Sequence, residues 1–459
     1  MNIILSVLSG ILLSLSFPKA NLFWLAWVAL VPLLIALTKV KNLKESLWCG
    51  LFFGLFFFGL DLFWVITALL RFAGWWVLLG WGVFTLFQTL FILLFILLLR
   101  LVKVSGVAYP VIVAALWTFV EWFRALGPFG FTSGDIGYTQ VSLLPLIQIA
   151  SLISVYGITF LVVLFNAAVV NLFKEPRRSV AGSLTLITFI LLVIYAYGVY
   201  QMPAPPKNVV PTIKLSLVQA NIDQMEKLDA TKVMPIFAVH EKMTRLAARA
   251  MPDIIVWPET AIFSYVLRDA RLFPRLKVLC QETKTWLVFG TPHYTQGKAY
   301  NSIVAMSPAG EVVAHYNKEK LVPFGEYLPF RPILYPLLKK VGYYDAEFSP
   351  GKNQQPFIAN DLTIAGAICF ESVFPGLMRS KVSQKSAFIL LVTNDAWFNK
   401  SSVPYYHLNA GILRAIENRR YFVQVGNSGL SAVIDPYGRV LSLARPNQQE
   451  ILTFEIPRP

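Results

Sequence analysis

Charge is scarce in this sequence. Aspartate, glutamate, lysine and arginine together make only 14% of its 459 residues, and just 25 of them are acidic. So little charge excludes an ordinary water-soluble globular protein. Cysteine is scarcer still: Cys49, Cys280 and Cys369 cannot build a disulfide framework. Cys49 falls in an apolar run, which leaves at most one intramolecular bridge, and nothing requires it. The four histidines (His240, His293, His315 and His407) lack metal-ligand spacing. The serine of "GNSGL" (426–430) lacks the glycine pattern of a nucleophile elbow. There is no internal repeat and no low-complexity tract.

Apolar residues fill the space that charge leaves: 56% of the chain is hydrophobic. They are concentrated in the first half, where residues 1–205 hold 11 of the 40 lysines and arginines and 5 of the 25 acidic residues. The remainder, 206–459, has the charge density of a folded water-facing domain. The net charge of +15 comes without a nucleic-acid-binding motif, and the basic residues are dispersed, so nucleic acid is not expected as a partner. Anionic lipid headgroups suit it better, since each basic residue near such a surface contributes about 1 kcal/mol.

Apolar runs long enough to cross a bilayer occur at 21–38, 46–70, 74–99, 107–123, 146–173 and 180–200. A shorter run, Ile3–Phe17, lacks a basic leader and a small-residue cleavage site, and reads as a first helix rather than a signal peptide. About seven helices are therefore expected in 1–205, a polytopic α-helical membrane domain. Lys39, Lys41, Lys44, Arg100, Lys103, Lys174, Arg177 and Arg178 fall on one set of loops, and Lys19, Arg71 and Arg124 on the other. That bias makes the first set cytoplasmic. The proline-rich exit "YGVYQMPAPPKNVVP" then leads to an extracytoplasmic domain. Within the membrane half, Glu121 and Arg124 share a helix face and are expected to pair locally or to meet a lipid headgroup or substrate.

The second half alternates short β-rich runs, among them "IKLSLVQAN", "DIIVWPE", "NSIVAMS", "LTIAGAICF" and "AFILLVTND", with helical patterns near 234–250 and 405–419. This is the pattern of an α/β sandwich. Three polar residues end apolar strands: Glu259 in "IIVWPET", Lys318 in "VVAHYNKEK" and Cys369 in "IAGAICF". Each has an ordinary alternative: a turn glutamate, a solvated lysine, a small core cysteine. Together they form a complete chemical set. A carboxylate can take the thiol proton, the thiolate can attack a carbonyl, and an ammonium can stabilise the oxyanion.

The ordered Glu…Lys…Cys set resembles the nitrilase, or carbon–nitrogen hydrolase, superfamily. With the upstream spans, the chain is similar to the apolipoprotein N-acyltransferase family. The motifs that carry the likeness are "WPETA" (257–261), "LVPFGEYLP" (321–329), "ICFESVFP" (368–375), "NDAWF" (394–398), "LRAIENRR" (413–420) and "GNSGLSAVIDPYG" (426–438). The resemblance implies an extracytoplasmic αββα sandwich on the periplasmic face of a bacterial inner membrane. It implies Glu259 as base, Lys318 as oxyanion stabiliser and Cys369 as nucleophile, with Glu326 and Glu371 as supporting carboxylates. Phe370, Asn394 and Trp397 fall in the same motifs as supporting or substrate-contacting candidates.

The implied reaction is ping-pong: Cys369 takes an acyl chain from a phospholipid as a thioester and passes it to the amine of a diacylglyceryl apolipoprotein. It needs no metal or organic cofactor, and the enzyme is expected to be a monomer. If the chain stays extended past Cys369, Glu371 leaves the same face and is expected to hold Lys318, while Glu326 orders the apolar flap "FGEYLPFRPILYPLL" (324–338).

Three positions depart from the family pattern. Phe370 stands where tyrosine is common, and Leu228 where tryptophan is expected. The family pattern also continues into an eighth helix past the position of Pro459. The rival readings are a membrane-tethered amidase acting on a small amide, and a catalytically silent lipid- or lipoprotein-binding module. The amidase gains nothing from seven spans or an apolar flap, and the silent module would be marked by loss of a triad residue.

Overall fold

The structure is a computed structural model that describes residues 1–102, 106, 108–173, 177–203, 211–341, 347–352, 355–398 and 401–458. It contains two compact units, Met1–Pro203 with Lys400–Asn409, and Ala204–Asn399 with Ala410–Pro459. The expected boundary at 205/206 lies outside the described residues, as do Lys103 and Lys174 of the loops used to orient the chain.

The first unit is helical. Its apolar sequence makes this the economical choice, since a helix satisfies its own backbone groups where no water is at hand. Among the described residues, four of its helices are long and apolar enough to cross a membrane: Leu43–Asp61, Trp76–Val102, Ala150–Asn171 and Leu184–Gln201. The segment expected as one span over 46–70 is two helices, Leu43–Asp61 and Phe63–Ala73, because Leu62 leaves helical geometry at φ −89° and ψ 9°. The segment expected at 21–38 is a 3-10 turn, Phe23–Leu25, followed by Ala26–Ala29 and Val31–Lys39. Pro32 opens the last piece, where its missing N–H leaves no bond unmade. Asn42 caps Leu43–Asp61: its side-chain oxygen accepts from the Glu45 N–H at 2.8 Å, and its amide donates back to Glu45 at 2.9 Å.

The expected local pair of Glu121 and Arg124 does not form. Arg124 instead pairs with Asp135 and donates to Gln88 at 3.3 Å. Glu121 accepts from the Trp117 indole (2.8 Å), the Ile136 N–H (3.0 Å) and the Thr159 hydroxyl (2.7 Å). Both side chains are buried, and each has a partner on the "GDIGYTQ" segment, the Ile136 N–H for Glu121 and the Asp135 carboxylate for Arg124. In the same unit Tyr406 donates to Asp61.

The second unit is a two-sheet sandwich. Its strands in chain order are β1 (Thr212–Gln219), β2 (Ile254–Trp257), β3 (Trp286–Thr295), β4 (Lys298–Met306), β5 (Val312–Asn317), β6 (Phe357–Ala359), β7 (Leu362–Ile368), β8 (Ser386–Thr393), β9 (Tyr421–Gly426), β10 (Ala432–Ile434), β11 (Val440–Leu443) and β12 (Glu450–Pro457). They form two sheets, ordered β12-β1-β2-β3-β4-β5 and β11-β10-β9-β8-β7-β6. The centre of each sheet is parallel: β1 with β2 and β2 with β3 in one, β7 with β8 and β8 with β9 in the other.

Residue alternation explains the layering. Leu215, Leu217, Ile254 and Val256 point into the core between the sheets, where they meet Ile364, Phe388, Leu390 and Val423. Val218, Ile255 and Trp257 point the other way, onto Phe237, Met243, Leu276 and Leu279. Those four lie on the helices Val233–Ala248 and Leu272–Thr283. A strand apolar on both faces must be covered on both, so helices lie outside the sheet. On the second sheet, Gly411 and Ile416 of the helix Val403–Asn418 pack close to Phe422, Ile434 and Gly438.

Candidate active site

The C-terminal ends of the parallel strands β2, β7 and β8, with the end of β5, deliver the site. β2 stops at Trp257, and Pro258 turns the chain so that Glu259 leaves the sheet edge. This turn presses on β3: a Cβ built on Gly290 would lie 2.5 Å from the Glu259 Cα and 2.6 Å from the Pro258 carbonyl. Only glycine lets the two backbones approach that closely. Lys318 follows β5 and is fixed by its own N–H, which donates to the Asn301 carbonyl of β4 at 2.8 Å. Cys369 follows β7 with φ +51°, a left-handed conformation that costs a non-glycine residue of order 1 kcal/mol and is typical of functional turns.

The charged groups are tightly interlocked. The Lys318 ammonium, 1% exposed, lies 2.9 Å from Glu326 and 3.5 Å from Glu259. The Asn301 amide donates to both carboxylates, each at 2.7 Å. The other oxygen of Glu259 accepts from the Asn394 N–H at 2.9 Å, and that of Glu326 from the Val322 N–H at 2.8 Å. Asn394 is held in turn by Gln224 (2.8 Å) and Asn427 (3.0 Å). Each carboxylate therefore has a fixed direction before any ligand arrives.

The electrostatics assign resting states. Burial pushes the Cys369 thiol well above the ordinary range, the Glu259 charge pushes it further, and Lys318 opposes both. Burial alone would lower Lys318, but Glu326 and Glu259 hold it above the usual lysine value. Burial thus favours the neutral thiol of Cys369, and the two carboxylates favour the charged ammonium of Lys318. Cys280 is also raised by burial, to about 12, without any such partner.

Glu371 occupies a second, adjoining network, and two expectations about it fail. The chain does not stay extended after Cys369: Cys369–Val373 is a 3-10 turn, which curls Glu371 back toward its own strand. Nor does Glu371 bond Lys318. Its carboxylate accepts from the N–H groups of Ile368 (2.8 Å), Glu319 (2.8 Å) and Lys320 (3.2 Å), from the Tyr316 hydroxyl, and from the Lys381 ammonium at 2.9 Å. It ties the backbone just after Lys318 to the backbone just before Cys369. Burial raises Glu371 to about 8 and lowers Lys381 to about 6.

Of the other expected residues, Phe370 is half-buried with its ring edge-on to Phe374 at 4.9 Å. Trp397 is half-buried in the turn Asp395–Trp397, just past Asn394. Glu121 and Arg124 belong to the network of the helical unit described above. The sequence reading missed Asn301, Gln224, Lys227, Tyr316 and Lys381, all buried. Asn301 carried a signal, a polar side chain beginning the apolar run "NSIVAMS". Lys381 carried none, since its sequence neighbours are those of a surface helix.

Comparison with known proteins bears on the whole chain. Residues 214–459 match the carbon-nitrogen hydrolase family, and residues 9–168 match the apolipoprotein N-acyltransferase N-terminal domain. The chain is 34% identical to an apolipoprotein N-acyltransferase of Geobacter metallireducens, covering 99% of this chain and 89% of that one. It is 30% identical to one of Allorhizobium ampelinum, covering 98% and 88%. Among solved structures it is similar to an amidase from Nesterenkonia sp., at 18% identity and a TM-score of 0.41 over 55% of this chain and 94% of that one. Matched along nearly its full length in both halves, the chain belongs to the apolipoprotein N-acyltransferase family, a family of acyltransferase enzymes.

Proposed function

We propose that this protein transfers an acyl chain from a phospholipid to the α-amine of the diacylglyceryl-cysteine of an apolipoprotein, through a thioester on Cys369. Glu259 takes the thiol proton as Sγ attacks the donor ester carbonyl. The resulting oxyanion is stabilised by Lys318, whose ammonium is already fixed and dehydrated, so little reorganisation is needed. Collapse expels the lysophospholipid oxygen, which takes the proton back from Glu259 and leaves the acyl chain on sulfur. The acceptor amine then attacks the thioester and gives its proton to Glu259. Cys369 leaves as thiolate and is reprotonated, so the enzyme returns to its starting state.

The observation that carries this reading is the buried thiol set beside a buried ammonium and an oriented carboxylate. The names of the relatives supply the acceptor class. The apolar helices and the exposed Phe324, Phe330 and Ile333 of the flap suit lipid substrates met at a membrane surface. We place the enzyme in the bacterial inner membrane with the catalytic domain periplasmic, acting as a monomer, and Phe370 and Trp397 as contacts for substrate. Incubation with phospholipid and a diacylated lipopeptide tests it. The lipopeptide should gain one acyl chain as lysophospholipid appears, and hydrolysis of small amides with no lipopeptide acylation would refute it.

A further inference from the structure

β4 carries a polar side chain where its pattern calls for an apolar one. Alternate residues of a strand share a face, so Asn301 lies on the face of Ile303 and Ala305, which fill the core between the sheets. Asparagine is disfavoured inside strands, and this one is only 2% exposed. Its side-chain oxygen has no hydrogen-bond partner among the described residues, which for a buried acceptor costs about 1–3 kcal/mol. On packing grounds the position is a poor one for asparagine.

Its other atoms explain the choice. Nδ2 donates to Glu259 Oε1 and to Glu326 Oε1, each at 2.7 Å. The same two oxygens face the Lys318 ammonium, at 3.5 Å and 3.0 Å. Two carboxylate oxygens and two nitrogens therefore alternate around a closed ring, and the nitrogens screen carboxylates that would otherwise repel. The backbone of Asn301 fixes the third charged group as well, since its carbonyl accepts the Lys318 N–H at 2.8 Å. One residue thus holds all three.

We infer that Asn301 is a positioning residue for the reaction: its amide keeps the Glu259 carboxylate apart from the Lys318 ammonium, so that the two act separately instead of closing into one ion pair. The inference rests on the reading of Glu259 as base and Lys318 as oxyanion stabiliser. Without the amide, Lys318 is the one remaining donor to Glu259 Oε1 among the described residues. The other oxygen stays on the Asn394 N–H, so the carboxylate can pivot about it and close the gap. A base bound to the ammonium is neutralised, and the ammonium is no longer open to the oxyanion. Both half-reactions use both groups, so both should slow.

The test is single-turnover kinetics on the full-length protein, with vesicles of phosphatidylethanolamine and phosphatidylglycerol as donor and a synthetic diacylated lipopeptide as acceptor. Asn301→Leu, close in size but without a donor, should slow acylation of Cys369 and its discharge roughly 100-fold each, the scale of a small misplacement of reacting groups. The lipid concentration giving half the maximal rate should stay near that of the wild type. Asn301→Asp has the same shape and no hydrogen to donate when ionised; it should be at least as slow, and serves if the leucine variant does not fold. Combining either with Glu326→Gln gives the decisive comparison. Both changes release Lys318 toward Glu259, so the double variant should be little slower than the slower single one, whereas a space-filling role would make the two losses multiply. Wild-type rates in the Asn301 variants, multiplying losses, or an effect confined to the lipid concentration dependence would overturn the role of Asn301 alone. A wild-type rate in Glu259→Gln would instead overturn the base assignment beneath it.

Discussion

At the scale of single residues, two glutamates that look alike in sequence do different physical work. Glu326 shares the Lys318 ammonium and the Asn301 amide with Glu259, whereas Glu371 collects backbone N–H groups and Lys381. Glu326→Gln should leave the fold nearly intact but impair acyl-enzyme formation, because Lys318 is drawn toward the Glu259 carboxylate and neutralises the base. Glu371→Gln should behave differently. A glutamine turns an NH2 toward the backbone donors of Ile368, Glu319 and Lys320 and leaves buried groups unsatisfied, which costs about 1–3 kcal/mol, so its melting temperature should drop together with its activity. Thermal melts beside single-turnover acylation separate the two, and equal melting temperatures in both variants would contradict the division. The sequence showed both carboxylates within motifs, but their partners were not legible. Tyr316 and Lys381 reach Glu371 only through folding, and the turn at Cys369 reverses the direction that an extended strand would give Glu371.

At the scale of elements, strand ends were readable because apolar runs of "IIVW", "LTIAGAI" and "AFILLVT" stop at polar residues, and a sheet covered on both faces has nowhere else to put them. Helix breaks were less so. Leu62 follows a single charged residue, Asp61, within an otherwise apolar run, and the 3-10 start of 23–39 sits inside another, so average composition merged the pieces. Close backbone approach was equally hidden, and Gly290 is the instance with a consequence. Gly290→Ala would force β3 off the turn that carries Glu259, a small-to-large change in a packed site costing about 2 kcal/mol. Loss of Cys369 acylation should exceed what the lowered stability explains, and a variant with wild-type acylation would show that the turn tolerates displacement.

At the scale of the whole molecule, we propose that the catalytic part lies on the periplasmic side of the membrane, the side opposite the more basic loops. A protease added to the periplasmic face of spheroplasts should cut within 206–459 and spare an epitope tag inserted at position 174. Protection of the large domain, with cleavage of the tag, would reverse the topology.

The central claim is that Cys369, neutral at rest, becomes a thioester carrier of a phospholipid acyl chain. Intact-mass measurement of the full-length protein after incubation with a phospholipid of defined chain length tests it most directly. The account predicts one added acyl chain, mapped to Cys369 and absent in Cys369→Ala. It also predicts that the adduct survives in Cys49→Ala and Cys280→Ala, and is discharged when a diacylated lipopeptide is supplied. An adduct on Cys280, or lipopeptide acylation proceeding in Cys369→Ala, would contradict it.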